Sequence, residues 1–483
     1  MNLKKIVLVA ANARYSHTSF GLRWLYANLG EFQNISEIFE FDINRKVEDV
    51  VFKILDKKPD IVGFGVYIWN VTLLTNIVKL LKQKSPQTIV VLGGPEISFE
   101  YDKTEVTSFA DYIILGEGEK AFYDIVNSFS QGNPISSKII NGGYLDVNTL
   151  KTPYHLYSDD DIKHRVIYVE SSRGCPFSCE FCLSSLTKGV RKFEVDTFLN
   201  DMDILIKRGV KHFKFVDRTF NFEKERVFKI LDFFLERFKE GMQLHFEIVP
   251  DLLKKEVLEK IKEFPLQGLH LEAGIQSLNQ EVLKSISRRQ DNEKALANIK
   301  YIVEETGALV HADLVAGLPY EDFESFAKGF DLLFAAKPHH IQVGILKKLK
   351  GAPISRHQES CELEFSNKEP YEIIKNHTMT ETEINKIKKF ARFFDIYCNS
   401  EKFPNSMPLV WENEASAFYA LNNFFNFVYN KFQRDYSLEL FDRAEALFEY
   451  LTVNKKVLKS VAKETIAGDF YSVRGRKDKL SFM

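Results

Sequence analysis

The sequence predicts an α/β protein in three parts: a doubly wound parallel sheet, an open partial barrel of six strand–helix units, and a mostly helical C-terminal region. Two alternations of apolar strand-like runs with amphipathic helix-like segments predict the first two parts, over residues 1–130 and from residue 165. Helical periodicity from about residue 360 predicts the third. The 483 residues are enough for two or three parts with cores of their own.

Five apolar runs in the first part are predicted as strands: KIVLVAA (5–11), ISEIFEFDI (35–43), IVGFGVYIW (61–69), TIVVLGG (88–94) and ADYIILGEGE (110–119). Such runs separated by helices are typical of a parallel sheet covered on both faces. Ligands of these sheets bind at the carboxyl ends of the strands. Glycine pairs collect at those ends: Gly63 and Gly65, Gly93 and Gly94, Gly116 and Gly118. Ordinary turns would explain one pair, whereas three pairs at one edge favour a ligand.

Six further strand-like runs follow a predicted linker over residues 132–164, which mixes polar residues with Gly and Pro. They are RVIYVESSRG (165–174), VKHFKFVD (210–217), MQLHFEIV (242–249), GLHLEAGI (268–275), LVHADLVAG (309–317) and HIQVGIL (340–346). Because a complete barrel has eight such units, six predict an open, partial barrel over residues 165–358. Residues 359–483 form the predicted helical domain.

Composition narrows the class of protein. A formal net charge of -2 with 45% hydrophobic and 27% charged residues is typical of a soluble globular protein and gives no sign of nucleic-acid binding. The first apolar run is too short to cross a membrane, and no cleavage site follows it. Five cysteines, three of them clustered, indicate a reducing compartment rather than a disulfide framework. We therefore expect a cytoplasmic protein without membrane or nucleic-acid partners.

The stretch SSRGCPFSCEFC (171–182) places Cys175, Cys179 and Cys182 in the pattern C-x3-C-x2-C. A cubane iron–sulfur cluster is usually held by four thiolates, so three would leave one iron open to another ligand. A closed zinc site needs a fourth Cys or His, and no other cysteine lies nearby. Zinc completed by a distant histidine stays open as a less favoured alternative.

This spacing, with the aromatic Phe181 before the last cysteine, resembles the radical S-adenosylmethionine (SAM) enzymes. The resemblance implies that Cys175, Cys179 and Cys182 are catalytic and ligate a [4Fe–4S] cluster, whose open iron chelates SAM. It implies that the reduced cluster cleaves SAM to methionine and a 5′-deoxyadenosyl radical. It also implies an external electron donor of the flavodoxin or ferredoxin type and a small-molecule substrate.

Four later segments resemble the SAM-binding parts of that family: KFVDRTFN (214–221), FEIVPDLL (246–253), LEAGIQS (271–277) and ADLVAGLPYED (312–322). They occur in this order along the predicted barrel. The resemblance covers roughly residues 165–355. The resemblance implies cofactor-binding roles for the following residues: Asp217, Glu247, Glu272, Gln276, Asp313 and Gly317.

The first part resembles the Rossmann-like cobalamin-binding domain that precedes one class of radical SAM cores, through GFGVYIWN (63–70), LGGPEIS (92–98) and LGEGE (115–119). This resemblance implies a domain over residues 1–131 with cobalamin contacts from Gly65, Gly93, Gly94, Gly116 and Glu117. A dinucleotide-binding domain is the alternative, but no G-x-G-x-x-G follows the first strand.

His17 is the candidate cobalt-side histidine of this part. In RYSHTSFG its spacing to Gly21 is one residue longer than in histidine-ligating cobalamin domains, and Tyr15 replaces their aspartate. A ligand histidine normally needs such a carboxylate to orient it. We therefore expect cobalt without a protein histidine, while His17 either lines the corrin, contacts substrate, or serves as a capping or core residue.

The resemblances together imply a cobalamin-dependent radical SAM enzyme that transfers methyl from methylcobalamin to an unactivated carbon or to phosphorus. The alternatives are the same machinery used for cyclisation, rearrangement or oxidation, and a non-catalytic iron–sulfur redox sensor.

Cys361 and Cys398 are too few for a second cluster and are expected to be lone buried thiols. The C-terminal part resembles an uncharacterised tail of such proteins; its aromatic residues are expected to pack a helical core, namely Trp411, Phe418, Tyr419 and Phe424 to Phe427.

Overall fold

A computed structural model describes residues 3–187, 189–476 and 478–483. The chain divides into two compact units. The first runs to Glu247 and includes Lys348–Pro353 and Asn367–Tyr371, and the second comprises Ile248–Lys347, Ile354–Ser366 and the chain from Glu372 onward. None of the described helices combines the length and the apolar composition needed to cross a membrane.

The first unit contains a parallel sheet of six strands in the order β2-β1-β3-β4-β5-β6. Its strands are β1 (Ile6–Asn12), β2 (Ser36–Asp42), β3 (Ile61–Gly65), β4 (Ile89–Gly93), β5 (Tyr112–Gly116) and β6 (Ile139–Gly143). The helices of this part are α1 (Phe20–Ala27), α2 (Val47–Asp56), α3 (Val71–Lys84), α4 (Pro95–Ser98), α5 (Glu119–Ser130) and α6 (Asp159–His164).

Alternate side chains of β1 enter two different cores, which is how a doubly wound sheet is stabilised. Val7 and Val9 pack on the face covered by α2 and α3. Leu8 and Ala10 pack on the face covered by α1 and α5. Because both faces are buried, the strand is apolar throughout, and the predicted doubly wound sheet is confirmed.

The segment predicted as a linker contributes a strand and a helix. β6 pairs in parallel with β5, with Ile113 opposite Ile139. α6 begins at a capping box in which Ser158 Oγ accepts a hydrogen bond of 3.0 Å from Asp161 N. Strand β6 was not predicted because its sequence, IINGG, has only two apolar residues before the glycines.

The rest of the first unit begins the second strand–helix alternation: β7 (Ile167–Val169), β8 (Ser172–Arg173), β9 (Arg191–Lys192), α7 (Val195–Lys207), β10 (His212–Phe215), α8 (Lys224–Glu236) and β11 (Gln243–Ile248), whose last residue belongs to the second unit. β10 pairs in parallel with both β7 and β11. The antiparallel pair β8–β9 closes the base of the loop that carries the three clustered cysteines.

The second unit continues with α9 (Lys255–Lys262), β12 (Leu269–Gln276), α10 (Gln280–Ser285), α11 (Asn292–Glu305), β13 (Leu309–Ala316), α12 (Phe323–Ala335) and β14 (His340–Ile345). β13 pairs in parallel with β12 and β14. Burial alternates along β12 and β13, so one side of each strand packs on helices. With β7, β10 and β11, these strands give the six predicted strands of a partial barrel, which confirms the predicted fold class.

The C-terminal part of the second unit is mostly helical, as predicted. A short hairpin of β15 (Glu364–Phe365) and β16 (Ile373–Lys375) precedes α13 (Glu381–Phe394), α14 (Pro408–Trp411), α15 (Ala417–Phe432), α16 (Leu440–Glu449) and α17 (Lys459–Ser472). Two π-helical turns, Asp395–Asn399 and Tyr450–Asn454, extend α13 and α16.

An aromatic cluster joins these helices to α12. Phe390 of α13 lies 5.0 Å from Phe330 of α12 and 4.5 Å from Phe418 of α15, measured between ring centroids. Phe330 and Phe418 are fully buried, and Phe424 and Phe425 of α15 are buried beside them. Phe418, Phe424 and Phe425 therefore belong to a helical core, as expected, whereas Trp411, Tyr419 and Phe427 are only half-buried.

Candidate functional site

The glycine edge of the first sheet surrounds a cavity of about 180 Å³. Its lining includes all six glycines predicted from the strand ends, together with Gly21, Tyr67, Glu117 and Glu119. A Cβ at Gly93 would meet no atom within 4 Å, so the space beside this residue is open. Parallel sheets bind ligands at this edge, and the cavity therefore forms where the sequence predicts a ligand.

Glu117 lies at this edge but is engaged by an arginine. Its Oε2 accepts hydrogen bonds of 2.9 Å from Arg191 Nη1 and from Leu145 N. Burial alone would raise the pKa of Glu117, but these hydrogen bonds outweigh burial and hold the pKa below its ordinary value. The structure thus gives Glu117 a charged protein partner in addition to its place in the cavity wall.

His17 does not line this cavity. It forms an isolated parallel bridge with Val166, and its Nδ1 lies 2.5 Å from Tyr168 Oη. Burial, reinforced by the positive charges of Lys214 and Arg14, lowers its pKa, so the imidazole is neutral at neutral pH. Through these two contacts, His17 connects the segment after β1 to β7.

Glu96 of LGGPEIS contacts the two later segments of the chain that belong to the first unit, Lys348–Pro353 and Asn367–Tyr371. It is 4% exposed, with Lys350 Nζ 2.8 Å from its Oε1 and Tyr371 Oη donating a hydrogen bond of 3.1 Å to the same oxygen. These segments therefore pack on the sheet that carries the glycine edge, which the sequence did not predict.

The cysteine loop begins and ends at the β8–β9 pair. Cys179 is buried, whereas Cys175 and Cys182 are half-buried, and all three are free thiols. Gly174 has a φ of +94°, and a Cβ there would come within 2.2 Å of Gly189 O. Only glycine fits this crossing of the two loop stems. Cys175 Sγ lies 3.6 Å from Thr219 Oγ1 of the DRTFN segment.

The loop fits an iron–sulfur cluster in its donor set and its closed stem. Three thiols occur on one short loop, with Cys182 N donating a hydrogen bond of 3.1 Å to Cys179 O. Across the described residues, no three His, Cys, Asp or Glu side chains are gathered at metal-binding spacing. The three thiols of this loop are the side chains that would hold such a cluster.

Asp217 supports the start of this loop. It is 2% exposed and accepts hydrogen bonds from Ser171 N (2.8 Å), Ser171 Oγ (2.7 Å) and Ser172 Oγ (2.6 Å). Burial raises its pKa, against the lowering effect of these hydrogen bonds. Both oxygens are thus used by the serines that precede the loop. Glu247 lies on β11, and its Oε1 is 3.2 Å from Arg218 Nη1.

In the second unit, the half-buried Glu272 and Gln276 lie on the same side of β12. Gln276 ends the strand with a φ of +69°. Its Nε2 covers Gly274, where a Cβ would approach that nitrogen to 2.5 Å. The side chain of Gln276 is therefore folded back over its own strand.

Asp313 and Gly317 lie in and directly after β13. Asp313 Oδ1 is 3.3 Å from His311 Nε2 on the same side of the strand. Gly317 has a φ of +87°, and a Cβ there would meet Ile373 Cγ2 at 2.6 Å. Asn376 Nδ2 also donates a hydrogen bond of 3.2 Å to Gly317 O. The C-terminal region thus packs directly on the segment that resembles a SAM-binding loop.

Two charged features were missed from the sequence. Arg173, on β8, contacts Glu117, Glu119 and Glu170, of which only Glu117 was predicted from the sequence as a cofactor contact. Buried Glu321 accepts a hydrogen bond of 2.6 Å from Ser277 Oγ. Ser277 is the last residue of LEAGIQS, and Glu321 is the last residue of GLPYE. The sequence therefore indicated this pair only through the resemblance of both segments to SAM-binding parts of the family.

Three family models match the chain in succession. The B12 binding domain matches residues 6–126, the Radical SAM superfamily matches residues 169–333, and a protein of unknown function (DUF4080) matches residues 359–483. The chain thus contains a B12-binding domain followed by a radical SAM domain. Its uncharacterised helical C-terminal region is likewise as predicted.

Three relatives are 23% to 25% identical to this chain. An uncharacterized methyltransferase of Pyrococcus horikoshii is 25% identical over 331 residues, 61% of this chain and 70% of the relative. The cobalamin-dependent radical SAM methyltransferase TokK of Streptomyces tokunonensis is 25% identical over 336 residues, 62% of this chain and 48% of the relative. The anaerobic magnesium-protoporphyrin IX monomethyl ester cyclase of Rubrivivax gelatinosus is 23% identical over 340 residues, 64% of this chain and 60% of the relative.

A solved structure shares the fold over nearly the whole chain. The cobalamin-dependent S-adenosylmethionine radical enzyme OxsB, with aqua-cobalamin and S-adenosylmethionine bound, has a TM-score of 0.66 and 13% identity. The match covers 97% of this chain and 83% of that one. At this identity the likeness concerns the fold.

Proposed function

We propose that this protein is a cobalamin-dependent radical SAM enzyme that transfers a methyl group to an unactivated carbon or to phosphorus of a small-molecule substrate. When bound, a [4Fe–4S] cluster supplies the electron that cleaves SAM to methionine and a 5′-deoxyadenosyl radical, and cobalamin supplies a methyl carrier. The electron comes from an external donor of the flavodoxin or ferredoxin type.

The observation that carries this proposal is the presence of both candidate sites in one compact unit. The cavity at the glycine edge and the three-cysteine loop both belong to the first unit, and Arg173, at the base of the loop, contacts Glu119 of the cavity lining. In the proposed enzyme Cys175, Cys179 and Cys182 hold the cluster. Asp217 fixes Ser171 and Ser172, and so orients the backbone that enters the loop.

Methyl transfer is favoured because two of the relatives described above are named as methyltransferases. The cyclase of R. gelatinosus, which aligns with 64% of this chain, supports the second candidate, which is the same machinery used for cyclisation, rearrangement or oxidation. The two candidates differ in whether SAM is also consumed as a methyl donor.

The test is an anaerobic assay of the full chain. The protein is reconstituted with iron, sulfide and hydroxocobalamin, given SAM and a strong reductant, and the SAM-derived products are quantified by mass spectrometry. We expect both 5′-deoxyadenosine and S-adenosylhomocysteine. Cys179→Ala should abolish both products, whereas Cys398→Ala, which changes a thiol of the second unit, should retain them.

Each other outcome selects a different function. Formation of 5′-deoxyadenosine alone would support radical chemistry without methyl transfer. Formation of neither product, with iron present and SAM bound, would contradict an enzyme and favour an iron–sulfur redox sensor. Zinc rather than iron on metal analysis would contradict the cluster itself.

A further inference from the structure

The base of the cysteine loop places two arginines opposite each other. Arg173 of β8 pairs with Arg191 of β9 in the antiparallel ladder that closes the loop. Like charges directly opposite on a ladder repel each other. Closure of this loop therefore depends on negative charge supplied from nearby.

The glycine edge supplies that negative charge. Glu117 receives a hydrogen bond of 2.9 Å from Arg191 and lies 3.7 Å from Arg173 Nη1. Glu119 Oε1 lies 2.8 Å from the same nitrogen of Arg173. Both glutamates belong to LGEGE and line the cavity. The carboxylates that neutralise the loop base are thus part of the cavity wall.

Burial makes these ion pairs consequential. The side chains of Arg173, Glu119 and Glu170 are only 13%, 6% and 8% exposed. Glu170 adds a third carboxylate, which accepts a hydrogen bond of 2.9 Å from Arg173 Nη2. Three carboxylates therefore share two arginines. Glu170 is the least stable of the three as an anion, because burial raises its pKa to about 7. Removal of one partner from such a buried network is costly.

Aromatic rings fix the guanidinium from the other side. Arg173 Cζ lies 4.7 Å from the ring centroid of Trp24 and 5.8 Å from that of Phe193. Trp24 lies on α1, whose Leu22 and Leu25 also line the cavity. Arg173 therefore contacts two separate elements of the cavity wall while its own chain continues to Cys175.

We infer that Arg173, Glu117 and Glu119 form a positioning node that couples the two cofactor sites. A corrinoid held against LGEGE stabilises the node and so strengthens cluster retention on the loop, and a cluster strengthens corrinoid binding by the same factor. The inference rests on the proposed function, because it needs both cofactors. The three residues act through the loop and the cavity wall, and are positioning residues.

The test compares wild type with the double variant Glu117→Gln and Glu119→Gln, which keeps side-chain size and removes both charges. Hydroxocobalamin is titrated anaerobically by absorbance against each protein, with and without a reconstituted cluster. We expect wild type to bind it at least about 5-fold more tightly when the cluster is present. The ratio should fall to about 1 in the double variant, where the sites titrate independently.

Glu40→Gln is the matched control. Glu40 belongs to the same sheet and contacts two arginines, Arg23 and Arg165, each at 3.0 Å, and both of these lie outside the cysteine loop. This variant should lose stability and keep the wild-type ratio. Arg173→Lys keeps the charge but cannot bridge Glu119 and Glu170 at once, and we expect it to lose most of the ratio.

The reciprocal measurement is iron retention against a chelator, with and without hydroxocobalamin, and it should give the same factor as the titration. A ratio of 1 in wild type, or an undiminished ratio in either the double variant or Arg173→Lys, would overturn the inference. Failure of wild type to bind a cluster or hydroxocobalamin at all would contradict the proposed function instead.

Discussion

At the scale of single residues, the buried carboxyl of Glu321 makes stability depend on pH. Its side chain is 2% exposed and accepts a hydrogen bond of 2.6 Å from Ser277. Burial raises the pKa of Glu321 from 4.5 to about 8. The folded chain thus keeps a proton that the unfolded chain releases at lower pH. Its favourable contribution is complete below about pH 4.5 and is lost as the pH rises through 8.

Glu321→Gln tests this dependence, since glutamine keeps the size and stays neutral at every pH. The free energy of unfolding of the variant, relative to wild type, should increase between about pH 5 and about pH 9, measured by urea denaturation. Glu304→Gln, on an exposed position of α11, should leave the difference constant. A constant difference for Glu321→Gln would mean that this carboxyl is ionised in the folded chain.

Gly93 gives a residue-scale test of the cavity. A Cβ there meets nothing within 4 Å, so valine would extend toward the space proposed for the corrin. We expect Gly93→Val to raise the dissociation constant of hydroxocobalamin at least about tenfold, with little change in the free energy of unfolding. Gly468→Val on α17, another glycine with open space, should not alter the affinity. Unchanged binding in Gly93→Val would place the corrin elsewhere.

At the scale of elements, the loop after β13 is shaped by the C-terminal hairpin. Ile373 of β16 and Ile384 of α13 both contact the space beside Gly317, at 2.6 Å and 3.3 Å from a Cβ placed there. The loop that resembles a SAM-binding segment is therefore packed by elements outside the radical SAM match. Its conformation depends on the region of unknown function.

Gly317→Ala tests that dependence. The change combines a φ of +87° with a clash against Ile373, and we expect a loss of about 2 to 4 kcal/mol in the free energy of unfolding. Gly209→Ala is the matched control, since Gly209 has a φ of +97° and open space, and it should lose only about 1 kcal/mol. Ile373→Ala should partly rescue Gly317→Ala in a double-mutant cycle. Strict additivity of the two changes would contradict the contact.

Elements that are buried on both faces were predictable, since burial alone makes their sequences apolar. KIVLVAA, which is buried on both faces, became β1, whereas burial alternates along LVHADLVAG, which became β13. β6 has too few apolar residues to be recognised, and its place depends on pairing with β5. The π-helical turns also left no signal, because their residues continue the helical pattern of α13 and α16.

The candidate site was predictable where its residues are close in sequence. Three cysteines within eight positions indicate a candidate ligand set without any knowledge of the fold. Arg173 and Glu117 could not be paired from the sequence, because only the fold brings β8 to the end of β5. Asp217 was predicted near the cofactors, and its hydrogen bonds to Ser171 became visible only with the structure. The roles of the predicted cofactor contacts stay predictions.

At the scale of the whole molecule, the compact units differ from the three parts predicted along the sequence. The second unit combines half of the barrel strands with the C-terminal helices. Phe330 of α12 is fully buried and lies 5.0 Å from Phe390 and 5.6 Å from Phe418, between ring centroids. The core of the barrel helix and that of the C-terminal helices are therefore the same core.

A chain truncated after residue 358 should consequently fail to fold as a stable radical SAM core. The truncation removes α13 and α15, exposes Phe326 and Phe330, and removes Ile373 from Gly317. We expect it to aggregate, as measured by the soluble fraction and far-UV circular dichroism of the purified chain.

Phe390→Ala in the full chain tests the same contact and should lower the free energy of unfolding by about 3 to 5 kcal/mol. Phe52→Ala, where the ring is 71% exposed, should cost far less. A soluble, folded truncation that still assembles a cluster would show that the C-terminal region is an independent domain, and the aromatic contacts with α12 would then be dispensable to the barrel.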